Sequence, residues 1–276
     1  MRPFMSSVFL AGSVAAVVIG ALLTQGTFAA EPLRMGGTGS SVGLLGKVGA
    51  QFTATGGPGV VVISGLGSSG AIRALADGKL DVAVSAAPLK PAQKADGAEQ
   101  VMVVRTGFVL ATSHRDPKGL RVADLTRIFK ADKPVWADGA PIRIILRPRS
   151  ETDTQLLGNL APGLHEAIEV LRKRTEVPVA ATDQDNADMA QRINGSLTVT
   201  TLTQLKAEDR RLTLVALDGI EPTFANFESG QYRYAKKLYF VVRAGGAPAA
   251  AKFTDFLRSP QGQAAMRDYY VLPSAE

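Results

Sequence analysis

The segment from Val60 to Ser85 constrains the fold most. Val60-Val61-Val62-Ile63-Ser64 is a β-branched run, and Gly65 to Gly70 reads as a turn. Residues 71–77 then place Ile72 and Leu75 three apart, as on one face of a helix. Residues 80–85 (Leu-Asp-Val-Ala-Val-Ser) make the next strand. A strand, a helix and a strand in this order form a βαβ unit, which calls for a parallel sheet with helices covering its faces. The alternation continues along the chain. Strands are predicted over 101–112, 142–146, 197–201, 212–217 and 238–243. Helices are predicted over 41–52, 122–129, 162–174, 185–193, 249–257 and 260–269. The fold class is therefore α/β, and 276 residues allow one large or two modest domains. The first helix carries Gly43, Gly46 and Gly49. Each costs about 1 kcal/mol relative to alanine, so that helix either packs very closely on a neighbour or is weak.

Composition narrows the function. With 46% hydrophobic and 20% charged residues the chain is neither disordered nor a polytopic membrane protein. It has no cysteine, which removes disulfides, thiolate metal sites, iron–sulfur clusters and cysteine nucleophiles. Its two histidines, His114 and His165, show no spacing to a nucleophile and form no metal cluster. The expectation is a protein that is not an enzyme and needs no cofactor and no metal. The net charge of +6 comes from scattered residues, the densest runs being Arg172-Lys173-Arg174 and Lys236-Lys237. A nucleic-acid partner is not expected, because its binders concentrate basic side chains on one face. A basic surface favours anionic ligands in general.

Residues 1–29 read as an address. Arg2 is followed by an uncharged apolar run from Val8 to Leu23, and Thr27-Phe28-Ala29 places small residues at a cleavage site after Ala29. The alternative, an uncleaved anchor, needs a span of about 20 residues, and this run is shorter. The chain is expected to be exported, with the mature protein beginning at Ala30.

Three segments are small, polar and rich in Gly, Ser and Thr, each ahead of a predicted helix. They are Gly36-Gly37-Thr38-Gly39-Ser40-Ser41, Gly65-Leu66-Gly67-Ser68-Ser69-Gly70 and the stretch from Arg147 to Thr154. A helix N-terminus presents unpaired N–H groups and partial positive charge, and therefore receives anions. Serine and threonine hydroxyls add donors, and the planar fork of an arginine meets two anion oxygens at once. Ser40 and Ser68 are also explained as plain N-caps. Gly65, Gly67 and Gly70 match a dinucleotide-binding pattern, but not at the first strand, and Asp81 opens the next strand rather than closing it. No glycine loop is followed by the Gly-Lys-Ser/Thr of a P-loop.

Taken in order, these stretches resemble the periplasmic phosphate-binding proteins of ABC transporters, within the type II periplasmic-binding-protein superfamily. The resemblance rests on the three loops, on Val82-Ala83-Val84-Ser85-Ala86-Ala87-Pro88-Leu89, on Ile128-Phe129 through Trp136-Ala137-Asp138-Gly139, and on the FTDFLRSPQG stretch from Phe253 to Gly262. It implies two α/β lobes joined by crossover strands, with the ligand in the cleft between them. The crossovers are expected at 109–113 and 238–243, giving lobe 1 as 30–112 plus 238–276 and lobe 2 as 113–237. It implies a monomeric periplasmic protein that binds phosphate or a similar oxyanion and passes it to an ABC transporter permease. The alternative is an envelope sensor or scaffold that reuses the fold with weak or no phosphate binding. The ligand-binding residues carried over are Ser40 and Ser41 from the first loop, Ser68, Ser69 and Gly70 from the second, and Arg147, Thr152 and Thr154 from the third.

The sequence departs from the family at Ala86, where the phosphate binders carry an aspartate that accepts the proton of hydrogen phosphate. Alanine cannot accept it, so either the ligand is a fully deprotonated oxyanion such as sulfate, or phosphate binds weakly, or another carboxylate substitutes. Glu151 and Asp153 are the candidates, though both also read as solvated loop acids paired with Arg149. Asp153 stands where the family has glycine. Asp183-Gln184-Asp185 reads as a capping cluster that could also face the cleft. Trp136, Tyr232, Tyr234 and Tyr239 read as packing residues.

Overall fold

The computed structural model describes Met1 and residues 31–274. The leader expected over residues 1–29 lies, Met1 apart, outside the described residues. The chain opens with β1 (Leu33–Gly37), α1 (Gly39–Ala54), β2 (Val60–Ile63), α2 (Gly67–Ala76), β3 (Val82–Ser85) and a short α3 (Pro91–Ala95). The long β4 (Ala98–Thr112) leads into a second lobe of α4 (Val122–Lys130), β5 (Arg143–Ile144), α5 (Thr152–Gly158), α6 (Leu164–Leu171), α7 (Asp183–Arg192), β6 (Ser196–Thr201), α8 (Leu202–Ala207), β7 (Thr213–Leu214) and α9 (Phe224–Glu228). β8 (Ala235–Arg243) returns to the first lobe, which closes with α10 (Pro248–Arg258), α11 (Pro260–Asp268) and β9 (Val271–Pro273).

The strands lie in the order β2-β1-β3-β8-β4-β6-β5, with β7 and β9 also paired to β4. The parallel arrangement expected from residues 60–85 holds for β2, β1 and β3, and the sheet as a whole is mixed. Among the described strands, β2, β1 and β3, and separately β5 and β6, run parallel. β8 is antiparallel to both β3 and β4, and β4 is antiparallel to β6. The cause is topological: β4 carries the chain out of the first lobe and β8 brings it back alongside, so the two must oppose each other. β1 separates β2 from β3, and its Gly36-Gly37 ending hides it from periodicity.

Each lobe has its own core. In the first, Leu33, Met35, Leu45, Val84, Phe240 and Phe253 are among the buried side chains. In the second, Phe108, Leu125, Trp136, Leu164, Leu197 and Tyr232 are. Trp136 stacks on His114 with ring centroids 5.3 Å apart, and the Tyr232 hydroxyl donates to the Phe108 carbonyl at 2.9 Å. The α10–α11 corner explains its Ser-Pro-Gln-Gly motif. Ser259 Oγ accepts from the Gly262 N–H at 3.1 Å, Pro260 fixes the first helical φ, and a Cβ at position 262 would lie 1.9 Å from the Phe256 carbonyl oxygen.

The glycines of α1 resolve by position. A Cβ at Gly43 would lie 2.8 Å from Glu208 Cγ and one at Gly49 2.7 Å from Val60 Cγ2, whereas Gly46 has nothing within 4 Å. Close packing therefore explains two of the three.

Candidate functional site

β1 delivers the chain to the N-terminus of α1. The Thr38 N–H donates to the Val84 carbonyl at 2.8 Å, which ties the first loop to β3. Ser41 Oγ donates to the Thr38 carbonyl at 2.8 Å, closing the loop. Ser40 is buried at 1% exposure, and its Oγ has no hydrogen-bond partner among the described residues. The Ser40 backbone N–H donates to Asp183 Oδ2 at 2.7 Å.

Asp183 comes from the other lobe, as the first residue of α7. Its neighbours cap that helix: Thr182 Oγ1 accepts from the Asp185 N–H at 3.0 Å, and the Asp185 carboxylate accepts from the Thr182 N–H at 3.1 Å. With the capping done by others, Asp183 reaches out to α1. Beside it, Gln184 Nε2 donates to the Gly39 carbonyl at 2.9 Å. A Cβ at Gly39 would lie 2.5 Å from Asp183 Oδ2, so glycine is what lets the carboxylate approach.

Arg147 meets the same carboxylate. It is buried, Nη1 donates to the Ala180 carbonyl at 2.6 Å, and Nη2 stands 3.3 Å from Asp183 Oδ1 and 3.7 Å from the Glu151 carboxylate. Its Nε is buried with no hydrogen-bond partner among the described residues. Thr154 Oγ1 donates to the carbonyls of Arg147 (3.2 Å) and Pro148 (2.9 Å), bracing the loop that holds the arginine. Thr152 begins α5 half-buried, and Ser69 is exposed on α2. Ser68 Oγ accepts from the Ala86 N–H at 2.9 Å, and Gly70 lies in the first turn of α2. Of the expected site residues, Ser40 and Arg147 are thus bridged by Asp183. Gly39, Gly65, Gly67, Arg147, Glu151 and Asp183 border a cavity of about 120 Å³ between the lobes.

A second ion pair lies alongside. Lys236 Nζ of β8 is 2.5 Å from Asp153 Oδ1 of α5, and both side chains are 2% exposed. The reading of Glu151 and Asp153 as solvated partners of Arg149 is corrected: Arg149 pairs with Glu169 at 2.5 Å, while Asp153 is buried because α5 starts at Thr152 and turns it inward. Burial pushes the Asp153 carboxyl up to about 6 against the pull of Lys236, and the adjacent Asp183 charge adds to the rise. Burial also opposes ionisation of Asp183, but Lys236, Arg147 and the Ser40 N–H together outweigh it and hold that carboxyl below its ordinary value. Burial works against the Lys236 charge as well, yet Asp153 and Asp183 raise its pKa. Two buried cations and two buried carboxyls therefore face one another, and the four carry no surplus positive charge.

Asp153 lies in the Arg147–Thr154 stretch and Asp183-Gln184 in the capping cluster that could face the cleft, whereas Lys236 belongs to no candidate motif. One signal could have found Lys236: the two-residue period of a strand places it on the face of Leu238 and Phe240, both buried. A larger cavity of about 540 Å³ lies on the second lobe, lined by Ile142, Ile144, Leu171 and Val177. The arginine heads at its rim are engaged, Arg143 with the Asn194 carbonyl and Arg174 with Glu176, so it gathers no donors for an anion.

A family profile described as a PBP superfamily domain matches residues 24–261. No curated protein matches the chain by sequence. Among solved structures, one provisionally described as a phosphate ABC transporter substrate-binding protein of Clostridium perfringens, with bound phosphate, has TM-score 0.68 and 16% identity, covering 88% of this chain and 100% of that one. The periplasmic molybdate-binding protein of Azotobacter vinelandii has TM-score 0.58 and 15% identity, with 88% and 100% coverage. An ABC-type phosphate transport receptor of Vibrio cholerae has TM-score 0.56 and 13% identity, with 88% and 100% coverage. The likeness extends over the whole two-lobe, type II periplasmic-binding-protein architecture.

Proposed function

The chain belongs to the PBP superfamily, and from that premise we propose that it is an exported, monomeric binding protein for phosphate or a similar small oxyanion, held between the lobes and delivered to an ABC transporter permease. The observation that carries this reading is the seat of Asp183, whose two oxygens meet the Ser40 N–H at 2.7 Å and Arg147 Nη2 at 3.3 Å. The donors that a small oxyanion needs converge there, and an anionic pair of oxygens fits between them. The Ser40 hydroxyl and Arg147 Nε remain as buried polar groups beside it. A cavity of about 120 Å³ suits an ion; sites for drug-sized ligands run to about 300–1,000 Å³.

In this reading Ser40 and Arg147 hold the anion, and Ser68, Ser69 and Gly70 approach it from α2. Ser41, Thr152 and Thr154 shape the two loops. The proton of hydrogen phosphate, left without an acceptor at Ala86, is accepted in this reading by the carboxyl of Asp153. The ligand bridges the lobes and so favours the closed hinge. The role assigns no chemical step to the protein. The phosphate- and molybdate-binding descriptions of the structural neighbours support the ligand class.

The cancelling charges favour one second reading, an envelope sensor or scaffold with weak or no phosphate binding. Calorimetric titration of the purified protein with phosphate, sulfate and molybdate separates the two. Saturable binding of at least one anion, weakened about 10- to 100-fold by Arg147→Ala, is expected from the loss of a charged hydrogen bond. Absence of binding by all three anions would overturn the receptor reading and leave the sensor or scaffold.

A further inference from the structure

We infer that Asp183 is an internal competitor for the oxyanion subsite, so that a ligand enters only by displacing this carboxylate from Ser40 and Arg147. The inference rests on the receptor reading above and adds a control to the same site.

Three observations carry it. The first is occupancy: the Ser40 N–H at the α1 N-terminus and Nη2 of Arg147 are both engaged by Asp183. A tetrahedral oxyanion cannot use the Ser40 N–H while Asp183 Oδ2 sits 2.7 Å from it. The second is fit. Position 39 holds a glycine, and a Cβ there would fall 2.5 Å from Asp183 Oδ2 and 2.8 Å from Asp183 Cβ. The first loop is thus shaped to receive the side chain of the opposite lobe. The third is what remains unused. Ser40 Oγ and Arg147 Nε, on the two residues that meet the carboxylate, are buried without hydrogen-bond partners among the described residues. A planar two-oxygen group satisfies only part of this donor set, and a tetrahedral anion with four oxygens has atoms left for both.

The same contact clasps the lobes. Asp183 and Gln184 belong to the second lobe and bond Ser40 and Gly39 of the first. The cleft therefore closes on its own carboxylate, and a ligand must both expel Asp183 and replace the clasp. Apparent affinity is then the intrinsic affinity reduced by the fraction of molecules whose subsite is open. An open fraction of about 1–10% reduces affinity about 10- to 100-fold.

The test is titration of wild-type protein, Asp183→Asn and Asp183→Ala with sulfate and with phosphate. Sulfate carries no proton near neutral pH, so it reads competition alone. The Ser40 amide resonance, followed by ¹⁵N NMR, is the second readout. The expected result is a 10- to 100-fold gain in affinity for both anions in both variants. The Ser40 amide of the ligand-free variants should also move away from its wild-type position. Equal sulfate affinity in wild type and variants would overturn the inference while leaving the receptor reading intact. A selective loss of phosphate binding in the variants would also overturn it, since Asp183 would then be the acceptor of the ligand's proton. No binding of either anion to any of the three proteins would overturn the receptor reading, and the inference with it.

Discussion

Replacing Lys236 by methionine keeps most of the side-chain volume and removes the charge that Asp153 faces at 2.5 Å. Both partners are 2% exposed, so water cannot take the place of the lost cation. Removing one member of such a buried pair costs about 3–5 kcal/mol. At about 2–4 °C per kcal/mol for chains of roughly this size, the melting temperature should fall by about 6–20 °C. The penalty depends on pH in a direction the Asp153 environment fixes. With Lys236 present, burial already holds the folded carboxyl at about 6, above its unfolded value near 3.9. Such a group weakens the fold as pH rises from the unfolded value through the folded one, because the folded state binds the proton more tightly. Without Lys236 the folded value rises further. At pH 5 Asp153 is then protonated and neutral, and the penalty should shrink. Guanidinium unfolding at pH 5 and pH 7.5 measures both effects, with Lys236→Met/Asp153→Leu as the partner variant. The double variant should recover most of the loss, since replacing a whole buried pair by apolar groups is often neutral. A loss at pH 7.5 below about 1 kcal/mol, or one no smaller at pH 5, would refute the assignment of a buried, mutually dependent pair.

Two further substitutions test the elements that position the site. Gly262→Ala forces a Cβ to within 1.9 Å of the Phe256 carbonyl oxygen; the α10–α11 corner must shift, and chemical denaturation should register a loss of about 1–3 kcal/mol or more. Thr182→Ala removes the capping hydroxyl that accepts from the Asp185 N–H at 3.0 Å. It should cost about 1 kcal/mol, and faster amide hydrogen exchange should be confined to the first turn of α7, where Asp183 is anchored.

The legible parts of this fold were those with strong local patterns. The runs at 60–64 and 80–85 are strands, and the apolar spacing at 122–129 and 249–257 marks α4 and α10. β1 escaped because two of its five residues are glycines, which suit it because both neighbouring strands crowd them: a Cβ at Gly37 would be 2.4 Å from the Val84 carbonyl oxygen of β3 and one at Gly36 2.9 Å from the Ile63 carbonyl oxygen of β2. The site was half legible. Ser40 and Arg147 announce themselves through loop composition, since helix termini and arginine have a local chemistry. The carboxylate between them does not, because Asp183 lies 143 residues from Ser40 in the chain and reads locally as part of a cap. Lys236 reads in the sequence as half of the basic run Lys236-Lys237, and the structure buries it against Asp153 on the face of Leu238 and Phe240. Asp153 stood out for its position, but its burial follows from α5 beginning one residue before it, and no periodicity fixes that.

The central claim, an oxyanion subsite formed by Ser40 and Arg147 and guarded by Asp183, is tested most directly by a crystal structure of the protein grown with molybdate. The anomalous signal of the metal centre locates the anion without ambiguity. The account predicts one strong peak for an anion whose oxygens lie within hydrogen-bonding distance of the Ser40 N–H and the Arg147 guanidinium, with the Asp183 side chain swung away from both. A peak elsewhere, or a cleft with no peak and Asp183 still bonded to Ser40 at saturating molybdate, would contradict it.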